Sequence, residues 1–297
     1  MPLAWIVWLY SAYFVLLLAE AWFLMRRGFA RGARQPGLKG RLYRLLALGT
    51  RDGSAAAEEK DLRVVRVLGT IGVPLAVAFH GGTGTVFAVT SARAYWYTGL
   101  FPLLFLVSAL ASGGALLTAI AAFVIPDGHQ KHRSMVLGLG RLLVALLLIE
   151  VLMEVAEFLV SLYGTAPAHF VPIHQQLFGP NWWIFWILGL GLAVGVPILI
   201  LVTAGRRSAL AAGLAAALSA VGFVGIRWNI VLPGFAVAEL PHIETAYVEP
   251  FLVYGVYVPT AMEWLVSVFA IGVALIVFAL GLGLLPLQHD VGDRATA

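Results

Sequence analysis

Cysteine is absent from this 297-residue chain, and charged residues are scarce. Without a thiol the chain cannot form a disulfide or ligate an iron–sulfur cluster, so any such cluster must belong to a partner. Charged residues make up 11% and hydrophobic residues 61%, whereas a soluble domain is about a quarter charged and about half apolar. Together with a mean hydropathy of +0.93, these values predict an all-α, polytopic membrane protein.

Seven apolar runs are long enough to span a bilayer, which takes about 20 residues. Pro74 and Pro197 lie inside two of them, where helix packing in a membrane tolerates a kink. Pro126, Pro233 and Pro259 are expected to mark helix ends. The chain 1–297 is predicted to form a single integral membrane domain. The predicted helices are 3–25, 65–89, 99–125, 135–163, 182–204, 208–232 and 260–286.

Lysine and arginine are concentrated in alternate connections. The predicted basic loop 26–64 holds ten of them, whereas the connections 90–98, 164–181 and 233–259 hold only Arg93. Basic loops stay in the cytoplasm, so we expect the N-terminus outside and the C-terminus cytoplasmic. The basic excess therefore indicates topology and not nucleic-acid binding. An amphipathic helix at 40–49 is expected to anchor the basic loop to anionic lipid, and the aromatic outer loops are expected to be docking or packing surfaces.

Small residues recur inside the apolar runs. The pairs Ser108 with Ser112 and Ala111 with Ala115 are spaced for close helix contact, and we interpret them as packing positions. The alanine-rich stretch 208–220 is expected to face lipid.

Three carboxylates share one predicted helix. Glu150, Glu154 and Glu157 are spaced i, i+4 and i+7, so they line one helix face. Ionised groups are costly in a bilayer, and three like charges repel one another. Two interpretations remain open and are compatible: a proton or quinone path, or ion pairs with Arg141 or Arg227 that hold the helices together.

The predicted topology places several polar groups at similar depth. His80, Arg227 and Glu263 fall in the same outer half of the bilayer as Glu154 and Glu157. A lone membrane histidine is often a packing residue with a hydrogen bond. A haem or metal site needs further ligands, and the other histidines are predicted to lie in loops or the tail. A quinone headgroup fits better, because imidazole can bond a carbonyl and pass a proton, and Gly81, Gly82 and Gly84 are expected to leave space for a ring.

Four stretches together resemble the NrfD-like, or polysulfide reductase membrane-subunit, family, which includes membrane subunits of periplasmic hydrogenases and alternative complex III. Their order and spacing match the family over nearly all of 40–286. The stretches are HGGTGTVFAVTSARAYWYTGLFPLLFLVSALASGGALL at 80–117, GPNWWIFW at 179–186, RWN at 227–229 and YVPTAMEWLVS at 257–267.

The resemblance implies a haem-free subunit that binds menaquinone or ubiquinone. It further implies a four-cluster iron–sulfur subunit on the outer face and a catalytic subunit, often of the molybdopterin type. In such subunits a Tyr or His at the position of His80 contacts the quinone headgroup. Acidic residues stand at the positions of Glu157 and Glu263, and a basic residue stands at that of Arg227.

The sequence departs from the family pattern in two ways. Val86 stands where several larger relatives carry an aspartate beyond the histidine. Only one predicted helix precedes the His80 helix, where relatives have three or more. We therefore expect either a second membrane polypeptide that supplies the missing helices, or a gene that is split or starts upstream of Met1.

These observations predict a quinone-reactive anchor subunit of a respiratory oxidoreductase in a prokaryotic cytoplasmic membrane. His80, Gly81, Gly84 and Glu157 are the predicted quinone-binding residues. The predicted proton path comprises Glu150, Glu154, Glu157, Arg227 and Glu263, with Arg227 and Glu263 as a structural or tuning pair. No catalytic or metal-ligating residue is predicted. The alternative is a proton or ion transporter without redox partners. A rhodopsin-type receptor is excluded, because no lysine follows Lys131.

Overall fold

The chain is an all-α, multi-pass membrane protein, as predicted. The computed structural model describes residues 2–50, 52, 54–125, 130–164, 166–238 and 257–286. Seven helices within these ranges are long and apolar enough to cross a membrane. The orientation of the termini stays a prediction. The helices are α1 (Pro2–Gly32), α2 (Leu38–Leu46), α3 (Ala55–Ala88), α4 (Phe101–Phe123), α5 (Gln130–Tyr163), α6 (Pro167–Phe178), α7 (Ile184–Val202), α8 (Ala209–Ala236) and α9 (Ala261–Leu284).

Two predicted connections contain helix. The prediction of a loop over 26–64 is wrong for much of its length, because α1 continues to Gly32, α2 lies within it and α3 begins at Ala55. The connection 164–181 contains α6. Opposite charges meet along these charged helix segments, where Arg26 pairs with Asp61 at 2.8 Å and Arg27 pairs with Glu58. Most of the connection 233–259 lies outside the described residues.

The described chain divides into two compact units. The first comprises Met1–Leu3 and His80–Tyr257, and the second comprises Ala4–Phe79 and Val258–Ala297. Helix α3 therefore contributes to both. The single-domain interpretation stays a prediction.

Small residues form the core of the first unit. Ser108, Ala111 and Ala115 of α4 are fully buried, which fits their predicted packing role. The expectation that the alanines of 208–220 face lipid is wrong for Ala212, Ala215 and Ala216, which are 0% exposed. Helix α8 packs against α4, α5 and α7, so its small side chains let several helices approach one another.

Helix α7 meets α8 at unusually short range. Its segment Ile184–Gly195 has the wider turns of a π-helix. A Cβ added at Gly222 of α8 would lie 2.3 Å from the backbone nitrogen of Ala193. The hydroxyl of Ser219 donates to the Ala193 carbonyl at 2.7 Å. This contact requires glycine at position 222.

Side-chain to backbone bonds organise the second unit. The indole of Trp22 in α1 donates to the Leu46 carbonyl at 2.7 Å, and the Tyr43 hydroxyl of α2 donates to the Leu284 carbonyl at 2.8 Å. An amphipathic helix is present as expected, but it spans Leu38–Leu46 and not 40–49, with Leu38 and Leu45 exposed and Tyr43 buried.

Candidate functional site

The three carboxylates of α5 open onto one cavity in the first unit. Its volume is about 40 Å³. A buried water needs roughly 10–15 Å³, so the cavity has room for a few waters. We call it the acidic cavity. It is lined by Glu150, Glu154 and Glu157 together with Tyr95, Phe101, Leu104, Phe158, Gln176, Ile226, Asn229 and Ile230.

Glu150 is the most deeply buried of the three carboxylates. Its side chain lies beside the hydroxyl of Ser108 from α4, and the residue is only 2% exposed. Its Oε2 atom has no hydrogen-bond partner within the described ranges, and neither does Nδ2 of the buried Asn229. A buried polar atom without a protein partner is rare, because it loses the hydrogen bond it had in water. Both atoms therefore suit a polar guest such as water.

Arg227 acts on the acidic cavity through its charge. Its guanidinium carbon lies 5.1 Å from the centre of the Phe105 ring, and it attracts the carboxylate of Glu150. Among the residues that the structure describes, it forms no ion pair with the α5 carboxylates, and Arg141 is exposed. The interpretation of the acidic face as a set of direct ion pairs is therefore not supported.

Tyr95 closes one side of the acidic cavity through two hydrogen bonds. Its hydroxyl accepts from Nε2 of Gln176 at 2.6 Å and donates to the Asn229 carbonyl at 3.1 Å. That carbonyl is available because Pro233, four residues later in α8, has no N–H to bond it. Burial raises the pKa of the Tyr95 phenol above its ordinary value, so the hydroxyl stays protonated.

The neighbouring Trp96 makes a second hydrogen bond to α8. Its indole nitrogen donates to the Ile230 carbonyl at 2.9 Å. A Cβ at Gly234 would lie 2.2 Å from the Trp96 ring, so only glycine admits the indole there. The expectation that Pro233 ends its helix is wrong, because α8 continues to Ala236 and the freed carbonyl has a side-chain donor.

Sequence reasoning gives no role to Tyr95, Gln176 or Asn229. Tyr95 is only an aromatic residue in the stretch that resembles the family, and Gln176 falls in a predicted loop. One pattern points to the site: an apolar helix with a proline four residues after a polar residue has a free carbonyl at that residue.

His80 and the glycines beside it lie in the first unit, on the last third of α3. His80 is half-buried and is not among the described residues that line the acidic cavity. A Cβ at Gly84 would lie 2.6 Å from the Phe101 carbonyl oxygen, whereas a Cβ at Gly81 would make only an ordinary contact at 3.9 Å. The expectation of open space is therefore wrong at Gly84, where the glycine admits the first turn of α4. Phe101 is shared, since it also lines the acidic cavity.

Glu263 caps a helix in the second unit. Its carboxylate accepts from the backbone nitrogen of Thr260 at 2.7 Å, and the Thr260 hydroxyl accepts from the backbone nitrogen of Glu263 at 3.3 Å. This capping box stabilises the start of α9. A structural reason for Glu263 therefore exists, and its part in a proton path or in a pair with Arg227 stays a prediction.

Three histidines expected in loops lie in helices. His132 is in the first turn of α5, and His169 and His174 are in α6. The Nε2 atom of His132 lies 2.8 Å from the Ala121 carbonyl oxygen. His129, His242 and His289 lie outside the described residues. Within the described ranges, no three His, Asp or Glu side chains are grouped as metal ligands.

Comparisons with known proteins agree with the resemblance. Residues 1–239 match the family described as "Polysulphide reductase, NrfD". One subunit of the selenate reductase of Mesobacillus selenatarsenatis is 36% identical over 292 residues, which cover 96% of this chain and 68% of that protein. A protein of Halobacterium salinarum, provisionally named as a membrane subunit of dimethyl sulfoxide reductase, is 31% identical over 316 residues, which cover 100% of this chain and 68% of that protein. The Hdr-like menaquinol oxidoreductase integral membrane subunit of Archaeoglobus fulgidus is 25% identical over 241 residues, which cover 77% of this chain and 59% of that protein.

Proposed function

Because the chain belongs to the polysulphide reductase NrfD family of oxidoreductase membrane subunits, we propose that it is the quinone-reactive anchor of a respiratory complex. In this proposal it exchanges electrons with an iron–sulfur subunit on the outer face of a prokaryotic cytoplasmic membrane, and it handles the accompanying protons. The observation that carries the proposal is the acidic cavity, with three carboxylates and room for water.

The acidic cavity fits protons and water and does not fit a quinone ring. Its volume of about 40 Å³ is far below the roughly 300–1,000 Å³ of pockets that hold drug-sized ligands. Glu150, Glu154 and Glu157 lie one helical turn apart, a spacing over which waters can link neighbouring carboxylates. We assign proton transfer to these three groups, with Glu157 nearest the end of α5 and Glu150 farthest inside.

His80 is the residue that we assign to the quinone headgroup. A bound quinone would supply two-electron chemistry coupled to two protons. His80 is half-buried, imidazole is a group that can hydrogen-bond a headgroup carbonyl, and Gly81 keeps the adjacent surface free of a side chain. Phe101 links the two regions, because it contacts Gly84 on one side and lines the acidic cavity on the other.

The partners of the chain follow from what its own residues cannot supply. No cysteine is present to hold an iron–sulfur cluster, so in this proposal such clusters belong to a partner. The relatives are named as subunits of selenate reductase, dimethyl sulfoxide reductase and a menaquinol oxidoreductase. We therefore propose a four-cluster iron–sulfur subunit and a catalytic subunit, often of the molybdopterin type, with menaquinone or ubiquinone as the redox partner in the membrane.

The proposal is tested by quinol oxidation in membranes that contain the assembled complex. We expect His80→Ala and Glu157→Gln each to lower the rate of quinol oxidation at least about tenfold. General acid–base groups typically contribute more than this factor. His174→Ala and Glu59→Gln serve as matched controls, because both side chains are exposed. A complex that keeps its full rate with both site variants contradicts the assignment. Ion flux through the purified chain without quinol binding favours the transporter alternative.

A further inference from the structure

Tyr95 also lines a second, smaller cavity. Its volume is about 10 Å³, close to the room that one water occupies. Its walls come from α6 and the last turn of α8, and Tyr95 is the residue that also lines the acidic cavity. The remaining lining residues are Ala168, Pro172, Pro233, Gly234, Val237 and Ala238.

The geometry points to Tyr95 as a gate between these two cavities, through which water reaches the acidic cavity. The gate is held shut by the hydrogen bonds of the hydroxyl to Gln176 and to the Asn229 carbonyl. When both bonds break and the ring turns away, the two cavities join, and water carries protons to and from Glu157 and Glu154. This inference deepens the proposed function, on which its proton role rests.

The gate has a specific latch in α8. The Asn229 carbonyl accepts from Tyr95 at 3.1 Å only because Pro233 offers it no helical N–H. The amide of Gln176 holds the same hydroxyl at 2.6 Å from the opposite side. Tyr95 is 6% exposed and lines both cavities, so a buried aromatic ring stands at the border of each while the latch holds.

Tyr95 acts as a barrier and not as a proton donor. Burial raises the pKa of its phenol, and its proton is directed at a carbonyl oxygen that cannot accept it as a base. The carboxylates therefore exchange protons with water, and the phenol only decides whether water is present.

Two substitutions release the latch by different routes. Tyr95→Phe keeps the ring and removes the hydroxyl. Pro233→Ala keeps Tyr95 and restores an N–H that competes for the Asn229 carbonyl. Tyr97→Phe is the matched control, because Tyr97 is 58% exposed and lies outside both cavities.

The test is hydroxyl-radical footprinting of the full chain, purified with its co-purifying subunits. This probe is generated from water, so it enters spaces that only water reaches. We expect Pro233→Ala, which removes one hydrogen bond of the latch, to raise labelling of Phe158 in the acidic cavity about fivefold, the factor for loss of one ordinary hydrogen bond. Tyr95→Phe removes both hydrogen bonds, so we expect it to raise the labelling at least as much. Labelling of Phe223, 3% exposed in the helix core, stays unchanged.

The double variant distinguishes a latch from general loosening. Because Tyr95→Phe already removes the hydrogen bond to the Asn229 carbonyl that Pro233→Ala weakens, we expect Tyr95→Phe with Pro233→Ala to label Phe158 no faster than Tyr95→Phe alone. Unchanged labelling of Phe158 in both single variants overturns the gate, and so does an equal rise at Phe223. The readout needs no quinone, so the gate can hold even where His80→Ala shows the proposed function to be wrong.

Discussion

At the scale of single residues, the first unit contains a buried carboxyl group, Glu150, and a half-buried guanidinium of opposite charge, Arg227. Glu150 is 2% exposed, and the guanidinium of Arg227, which lies over the Phe105 ring, attracts its carboxylate. A buried charge that loses its counter-charge is strongly destabilising, whereas removal of both charges is much less so. The two residues are therefore expected to depend on each other.

A double-mutant cycle measures this dependence. We expect Arg227→Gln to lower the free energy of unfolding by roughly 1–3 kcal/mol, because it leaves an uncompensated carboxylate. Adding Glu150→Gln should recover part of that loss. Thermal unfolding in detergent of the two single variants and the double variant gives the coupling. Losses that simply add would show that the two groups do not interact.

The hydrogen bond of the Trp96 indole can be removed by a substitution that keeps an aromatic ring in the same place. We expect Trp96→Phe to lower the free energy of unfolding by about 1 kcal/mol, because the Ile230 carbonyl loses the donor at 2.9 Å. Trp264→Phe is the control, since Trp264 is 59% exposed on α9. Equal melting temperatures for the two variants would mean that the indole bond contributes nothing to stability.

At the scale of elements, α8 organises the first unit. Its alanines and glycines admit α4 and α7, and its proline exposes a carbonyl for the segment between α3 and α4. Small residues let the helix backbones approach closely, and the missing backbone N–H of proline leaves a carbonyl free for a donor from another segment.

Glycine substitutions test this role with a control inside another spanning helix. In Gly222→Ala the new Cβ would meet the backbone of Ala193, so we expect a loss of roughly 1–3 kcal/mol. In Gly113→Ala nothing lies within 4 Å of the new Cβ, so we expect no loss and a gain of up to about 1 kcal/mol in helix stability. Unfolding in mixed detergent micelles measures both. A Gly222→Ala variant as stable as Gly113→Ala would contradict the close contact.

At the scale of the whole molecule, orientation decides which side meets each partner. The basic residues of 26–64 indicate the cytoplasmic face, and the connections on the opposite face carry almost none. The proposed iron–sulfur partner on the outer face depends on this orientation.

The absence of native cysteine makes orientation directly measurable. We expect Ser91→Cys to react with an impermeant maleimide added outside intact cells, and Gln35→Cys to react only after the cells are opened. Both residues are exposed and uncharged, so neither substitution alters the charge bias. Labelling of Gln35→Cys from outside would reverse the predicted topology.

The residue pattern alone was enough to predict the spanning helices and the helix face that the three carboxylates of α5 share. Long apolar runs have one stable solution in lipid, because every backbone polar group must be bonded within a helix. The i, i+4, i+7 spacing likewise places Glu150, Glu154 and Glu157 together without knowledge of any neighbour. Helix ends are less predictable, since α1 continues into a charged region where Arg26 and Arg27 pair with Asp61 and Glu58, residues that lie far from them in the sequence.

The rest of the site depends on contacts between distant segments. Tyr95, Gln176 and Asn229 are separated by dozens of residues, and each is ordinary in its local sequence. Only packing of α6 and α8 against the segment before α4 brings them to one cavity. A glycine such as Gly84 can either leave open space for a ligand or let a neighbouring helix approach closely. The residue is glycine in either situation, and only the position of Phe101 shows that Gly84 admits a neighbouring helix.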